Sequence, residues 1–240
     1  MAQHISRKEL KKDEFRDTLA QGADAVLSHR SLSIYILAAA IVVALGFFGW
    51  RTYTERQTVK ASAAFDDAQK IFDAPVLGPG DTPTPGEPTY TDEKTKFTQA
   101  SSSFTEVAAK YPRTRPGELA LFYEALSQEK LGNDTQAKKL LQTVSDSRNE
   151  EFASTAKLEL AKLDDRTGQA DEAVKLFQDL MAKPTILVSK PVSMLALAEH
   201  YVSSNPAEAA KLFNQIKSEN PDTPIADEAT QRLSLLPGKS

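Results

Sequence analysis

Residues 168–178 read Gly168-Gln169-Ala170-Asp171-Glu172-Ala173-Val174-Lys175-Leu176-Phe177-Gln178, and closely related text stands at 132–142 and 204–214. Ala137, Ala173 and Ala209 are spaced by 36 residues. The same step of 36 relates Leu140 to Leu176 and Leu212, and Leu141 to Phe177 and Phe213. An earlier copy fits Ala100, Phe104, Val107, Tyr111 and Pro112, one residue out of step. A small alanine on a helix lets a second helix approach closely, and a large residue one turn on fills the groove beside it. A Gly or polar turn joins the two helices, and proline stops the second. Such a hairpin cannot bury its apolar face alone, so about three or more must stack to build a core. The expected fold is all-α, an α-solenoid of about four helical hairpins, with a final helix from about Ile225 to Leu236 covering the last apolar face.

The pattern resembles the tetratricopeptide repeat. Gly132 and Gly168 fall at its inter-helix turn, and Ala137, Ala173 and Ala209 at its small second-helix position. Leu141, Phe177 and Phe213 match its aromatic position; Pro112 and Pro221 match its terminal proline, with Pro184 one residue early. Ala125 and Ala161 match the small residue of the first helix, whereas Leu197 departs from it, and the Trp and Tyr of that helix are missing. Other helical-hairpin repeats remain an alternative. The resemblance implies a groove lined by the first helices. By register its lining would be Phe122, Leu126, Glu129, Leu158, Lys162, Asp165, Met194, Ala198 and Tyr201. That mixture suits an extended or non-native peptide; the competing reading puts the apolar members in the core between repeats.

Upstream, residues 31–50 read SLSIYILAAAIVVALGFFGW, twenty positions without a charge, bounded by Arg30 and Arg51. About 20 helical residues span a bilayer's hydrocarbon core. The run is longer than a signal-peptide core and ends in Phe47, Phe48 and Trp50 instead of small residues, so it reads as an uncleaved transmembrane anchor. Trp50 and Tyr53 fit an interfacial aromatic belt. Six Lys/Arg in the preceding tail outnumber Arg51, Arg56, Lys60 and Lys70 beyond the span, which favours a cytoplasmic N-terminus.

These features divide the chain into a charged amphipathic tail (1–30), an anchor (31–50) and a helical domain (51–240). In the tail, Ser6-Arg7-Lys8-Glu9 has the form of a capping box, followed by Leu10, Phe15, Leu19, Ala23, Val26 and Leu27 at helical spacing. Within the domain, Val59, Ala63, Ala64, Ala68, Ile71 and Phe72 continue an apolar helical stripe. Residues 74–90, APVLGPGDTPTPGEPTY, then interrupt it with five prolines and three glycines, a flexible insertion through which no helix can pass.

The net charge is −4, with the tail at +1 and the remainder at −5. No basic face for nucleic acid is expected from that balance. The chain has no cysteine, which excludes disulfides, thiolate metal sites and cysteine nucleophiles. Only His200 lies in the helical domain; a lone helical histidine is usually surface or satisfied core. Asp164-Asp165 and Glu150-Glu151 read as solvated helix ends. No HExxH, GxSxG or phosphate-loop motif is present. The expectation is a binding protein with no catalytic residues, cofactor or metal.

The order of parts also resembles the YfgM-type ancillary subunits of the SecYEG translocon. A short tail, one membrane helix leaving through Gly49-Trp50-Arg51-Thr52-Tyr53, an Ala-rich helix from Ala61 and degenerate repeat hairpins follow one another over residues 31 to about 230. That likeness implies a bacterial inner-membrane protein with a periplasmic repeat domain. Its implied partners are SecYEG, a membrane-anchored peptidyl-prolyl isomerase and exported polypeptides. The implied role is that of a translocon-associated chaperone or adaptor. A scaffold for a cell-envelope complex, in division or outer-membrane biogenesis, is the alternative.

Overall fold

The computed structural model describes residues 30–83 and 85–236, so the tail with its capping box lies outside the described residues. Among the described residues there are nine α-helices and no strand, apart from an isolated bridge between Val76 and Tyr90. They are α1 (Arg30–Asp73), α2 (Glu93–Lys110), α3 (Arg115–Lys130), α4 (Asp134–Ser145), α5 (Glu150–Arg166), α6 (Ala170–Ala182), α7 (Lys190–Ser204), α8 (Pro206–Glu219) and α9 (Pro224–Ser234). The chain divides into two compact units between Arg56 and Gln57.

In the first unit, α1 carries the uncharged run. It is long and apolar enough to cross a membrane, with a mean hydropathy of 1.9 and none of the apolar window buried by protein. Side chains from Ile34 to Trp50 are exposed, and the Phe47 and Trp50 rings lie 6.4 Å apart at its end. Leaving so many large apolar groups uncovered is costly in water and favourable in lipid.

In the second unit, consecutive helices pack antiparallel as hairpins. The residues of α1 from Gln57 on pack against α2 through Ala61, Phe65 and Ala68, then α3 pairs with α4, α5 with α6, and α7 with α8, and α9 closes the stack. Sequence sets the ends of these helices. Thr114 Oγ1 accepts from Gly117 N, Asn149 Oδ1 from Glu151 N and Phe152 N, and Asn205 Oδ1 from Glu208 N, each satisfying amides that lack a helical partner. Gly132 (φ 76°) and Gly168 (φ 83°) take the left-handed conformation that turns α3 into α4 and α5 into α6.

The 36-residue register is the core. Ala137, Ala173 and Ala209 are fully buried, and Phe177 and Phe213 beside them are almost as completely enclosed. The first two hairpins are filled by rings: Phe65 lies 5.6 Å from Phe104, Phe72 5.4 Å from Phe97, and Phe72 5.3 Å from Tyr123. Burial of each such side chain contributes about 1.5–3 kcal/mol. α9 buries Ala226, Ala229 and Leu233 and turns Asp227, Glu228 and Gln231 to solvent.

The proline-rich stretch contains no helix but has a closed base. Leu77 N donates to Tyr90 O at 2.7 Å and Tyr90 N to Pro75 O at 3.2 Å, while Tyr90 Oη donates to Gln99 on α2. Lys96 Nζ also donates to Ala74 O. The picture of a freely flexible insertion therefore gives way to a loop fastened where it leaves and rejoins the helices.

Candidate binding face on the first helices

The first helices of the hairpins, α3, α5 and α7, each keep one stripe that the rest of the stack covers only in part. On α3 it includes Phe122 and Leu126, both half-buried, and on α5 Thr155, Glu159 and the exposed Lys162. On α7 it runs through Val192, Leu195, Glu199 and Val202. With packed helices about 10 Å apart, the three stripes make a face roughly 20 Å wide, apolar at its two edges and charged in the middle.

Of the residues expected to line a groove, Phe122, Leu126 and Lys162 lie on this face. Leu158, Met194 and Ala198 do not: Leu158 is 8% exposed, Met194 1% and Ala198 0%, and all three belong to the core shared by the last hairpins. Tyr201 is half-buried against the same core, as are Val192, Leu195 and Val202 of the α7 stripe. For Met194 and Ala198 the cause is a phase difference between the two layers of helices; Leu158, 36 positions after Phe122, precedes the slip and is buried because it packs into the core with Ala161, Ala173 and Phe177. The second helices repeat at 36, but Phe122, Leu126 and Glu129 correspond to Leu195, Glu199 and Val202, each 73 positions on. One residue beyond two steps of 36 rotates a position by about 100° around a helix. The connection at 183–189 is longer than those at 111–114, 146–149 and 220–223, and it was the signal in the sequence for this slip. The slip also accounts for Leu197: its neighbour Ala198 supplies the small, fully buried residue that Ala125 and Ala161 supply earlier.

Polar groups stitch one first helix to the next. Glu129 on α3 accepts from Arg166 on α5 at 2.5 Å, and Arg166 also reaches Asp134 at 2.8 Å. Asp165 on α5 lies 2.6 Å from His200 Nδ1 on α7, and Glu199 on α7 lies 3.1 Å from Arg232 on α9. Glu129 and Asp165 are thus rungs of a ladder, and the hydrogen bond to Glu129 raises the affinity of Arg166 for its proton. His200 is the satisfied, largely enclosed histidine that its isolation in the sequence suggested.

One member of each of the two carboxylate pairs departs from the solvated helix end expected of it, while Glu150 is exposed as expected. Asp164 is 2% exposed and receives Lys138 Nζ at 2.6 Å. Glu151 accepts from Leu187 N and Ile186 N at 2.8 and 3.1 Å, and those backbone hydrogen bonds, Leu187's foremost, hold its carboxyl below the usual range. Glu124, buried between α2 and α3, is pushed the other way by desolvation. No cluster of His, Cys, Asp or Glu suited to a metal occurs among the described residues.

A family model described as a tetratricopeptide repeat-like domain matches residues 29–186. This chain belongs to the tetratricopeptide repeat-like family. No curated protein and no solved structure matches it. Membership and the all-helical stack point to a protein-interaction module, a class that typically works without catalysis. The family match stops at 186, whereas Ala209, Phe213 and their partners carry the same packing through α8.

Proposed function

We propose that this chain is a membrane-anchored adaptor that holds extended segments of exported polypeptides, as a YfgM-type ancillary subunit of the SecYEG translocon. The observation that carries the reading is the mixed first-helix face. Phe122, Leu126 and Leu195 offer partly uncovered apolar contacts, and Glu159, Lys162 and Glu199 stand between or beside them. An extended chain rises about 3.3 Å per residue, so about six residues would cross this face with apolar side chains at both edges. The uncharged run of α1 supports anchoring in a bacterial inner membrane. In this reading the tail is cytoplasmic and the repeat domain periplasmic, beside SecYEG and a membrane-anchored peptidyl-prolyl isomerase. The domain limits at residues 30 and 50 are part of the same proposal.

The test is mild-detergent co-purification of the full chain with mass spectrometry, run in parallel for Phe122→Asp. Translocon subunits and exported polypeptides are expected with the parent protein. The variant is expected to keep the former and lose the latter. Recovery of one stoichiometric folded envelope protein without the translocon would instead establish the scaffold role.

A further inference from the structure

A second surface lies at the opposite extreme in character. The turns that lead into α3 and α5 face one another across an open cleft of about 730 Å³, lined by Arg113, Arg115, Glu118, Ser147 and Arg148 among others. Three guanidinium groups thus share the cleft with one carboxylate, and Glu118 is already engaged by the Ser147 hydroxyl. Arg115 is steadied over the Phe152 ring, 5.1 Å from its centroid.

The charge of these three arginines is unspent, and they share one cleft. Arg51, Arg166 and Arg232 each hold a carboxylate. Among the described residues, none of Arg113, Arg115 and Arg148 has an ion-pair partner, although the chain carries 33 acidic residues against 29 basic ones. An acidic protein that leaves three forked cations uncompensated on one edge keeps a local positive field there.

We propose that this cleft docks an acidic stretch of a partner polypeptide through carboxylate–guanidinium pairs. The backbone argues against a small oxyanion such as free phosphate. Phosphate sites draw on free amides at helix starts. Here Thr114 takes Gly117 N, and Asn149 takes Glu151 N and Phe152 N. The cleft therefore offers side-chain forks spread over two turns. Several carboxylates along one strand can engage those forks together. The site is separate from the first-helix face and does not depend on what that face binds.

The experiment uses the full chain in nanodiscs of zwitterionic lipid, with fluorescein-labelled hexaglutamate as probe and anisotropy as readout at low salt. Saturable binding is expected. It should weaken about tenfold or more in Arg113→Gln/Arg148→Gln, recover most of that loss in Arg113→Lys/Arg148→Lys, and persist in Arg232→Gln. Both target side chains are exposed, and circular dichroism of the variants should match the parent. Equal binding by the double Gln variant, or no binding by the parent, overturns the proposal. Displacement of the probe by inorganic phosphate at equal molar concentration also overturns it, in favour of a single-anion site.

Discussion

The second helices and the first helices of this stack obey different rules. Along α4, α6 and α8 the contact residues keep a step of 36, and Ala137, Ala173 and Ala209 have no exposed surface at all. Along α3, α5 and α7 the outward stripe slips by one residue over two repeats, and no single residue type persists on it. The second layer is pinned because each alanine sits where two helices meet, and an added methyl group there has nowhere to go. The first layer is pinned on its inner side only. Its outer side is free to vary in composition and phase, which is where a repeat protein acquires a particular partner.

Substitutions can break this contrast. The largest loss is expected from Phe177→Ala, which empties a nearly fully enclosed site in the second layer; about 3–5 kcal/mol should disappear in denaturant unfolding. Ala173→Leu should cost about 1–3 kcal/mol by overfilling the same contact, and unchanged thermal melting would show the 36-residue register to be wrong. Ala198→Leu should cost a similar amount if Ala198 is the small residue of its hairpin, whereas a neutral result would return that role to Leu197.

Two smaller effects concern charge. Burial raises the Glu124 carboxyl above its ordinary value, so its share of stability is full below the usual glutamate range and is lost as pH rises through the raised value. Glu124→Gln should therefore stabilise the protein at neutral pH and flatten that part of the stability profile, which unfolding at a series of pH values will reveal. Least of all, Glu129→Gln should cost about 0–1 kcal/mol, because Arg166 is half exposed and Asp134 remains to hold it; high salt should erase the difference.

The same contrast governs what could be read beforehand. Ala137, Ala173 and Ala209 were legible because close packing forces one residue type at one spacing. The apolar run before Arg51 was legible because twenty successive positions carry no charge, a pattern that needs no partner from elsewhere in the fold. Met194 falls in the core because the lengthened turn at 183–189 shifts the phase of the first helices without changing the alanines; Leu158 lies before that turn, and its burial against Ala161, Ala173 and Phe177 comes from packing between hairpins, which spacing alone does not reveal. Asp164 was misread because its partner, Lys138, comes from another hairpin, 26 residues earlier. Arg113, Arg115 and Arg148 went unnoticed for the same reason: each sits in an ordinary turn, and only the fold brings the turns together.

α9 has a bearing on growth as well as on stability. A stack of like hairpins has no built-in length, since each end presents a surface complementary to the other. By covering α8 with Ala226, Ala229 and Leu233 while showing water Asp227, Glu228 and Gln231, α9 ends the series. Without it the apolar surface of α8 under Ala226, Ala229 and Leu233 would stand open to water, and an exposed face of that kind favours association.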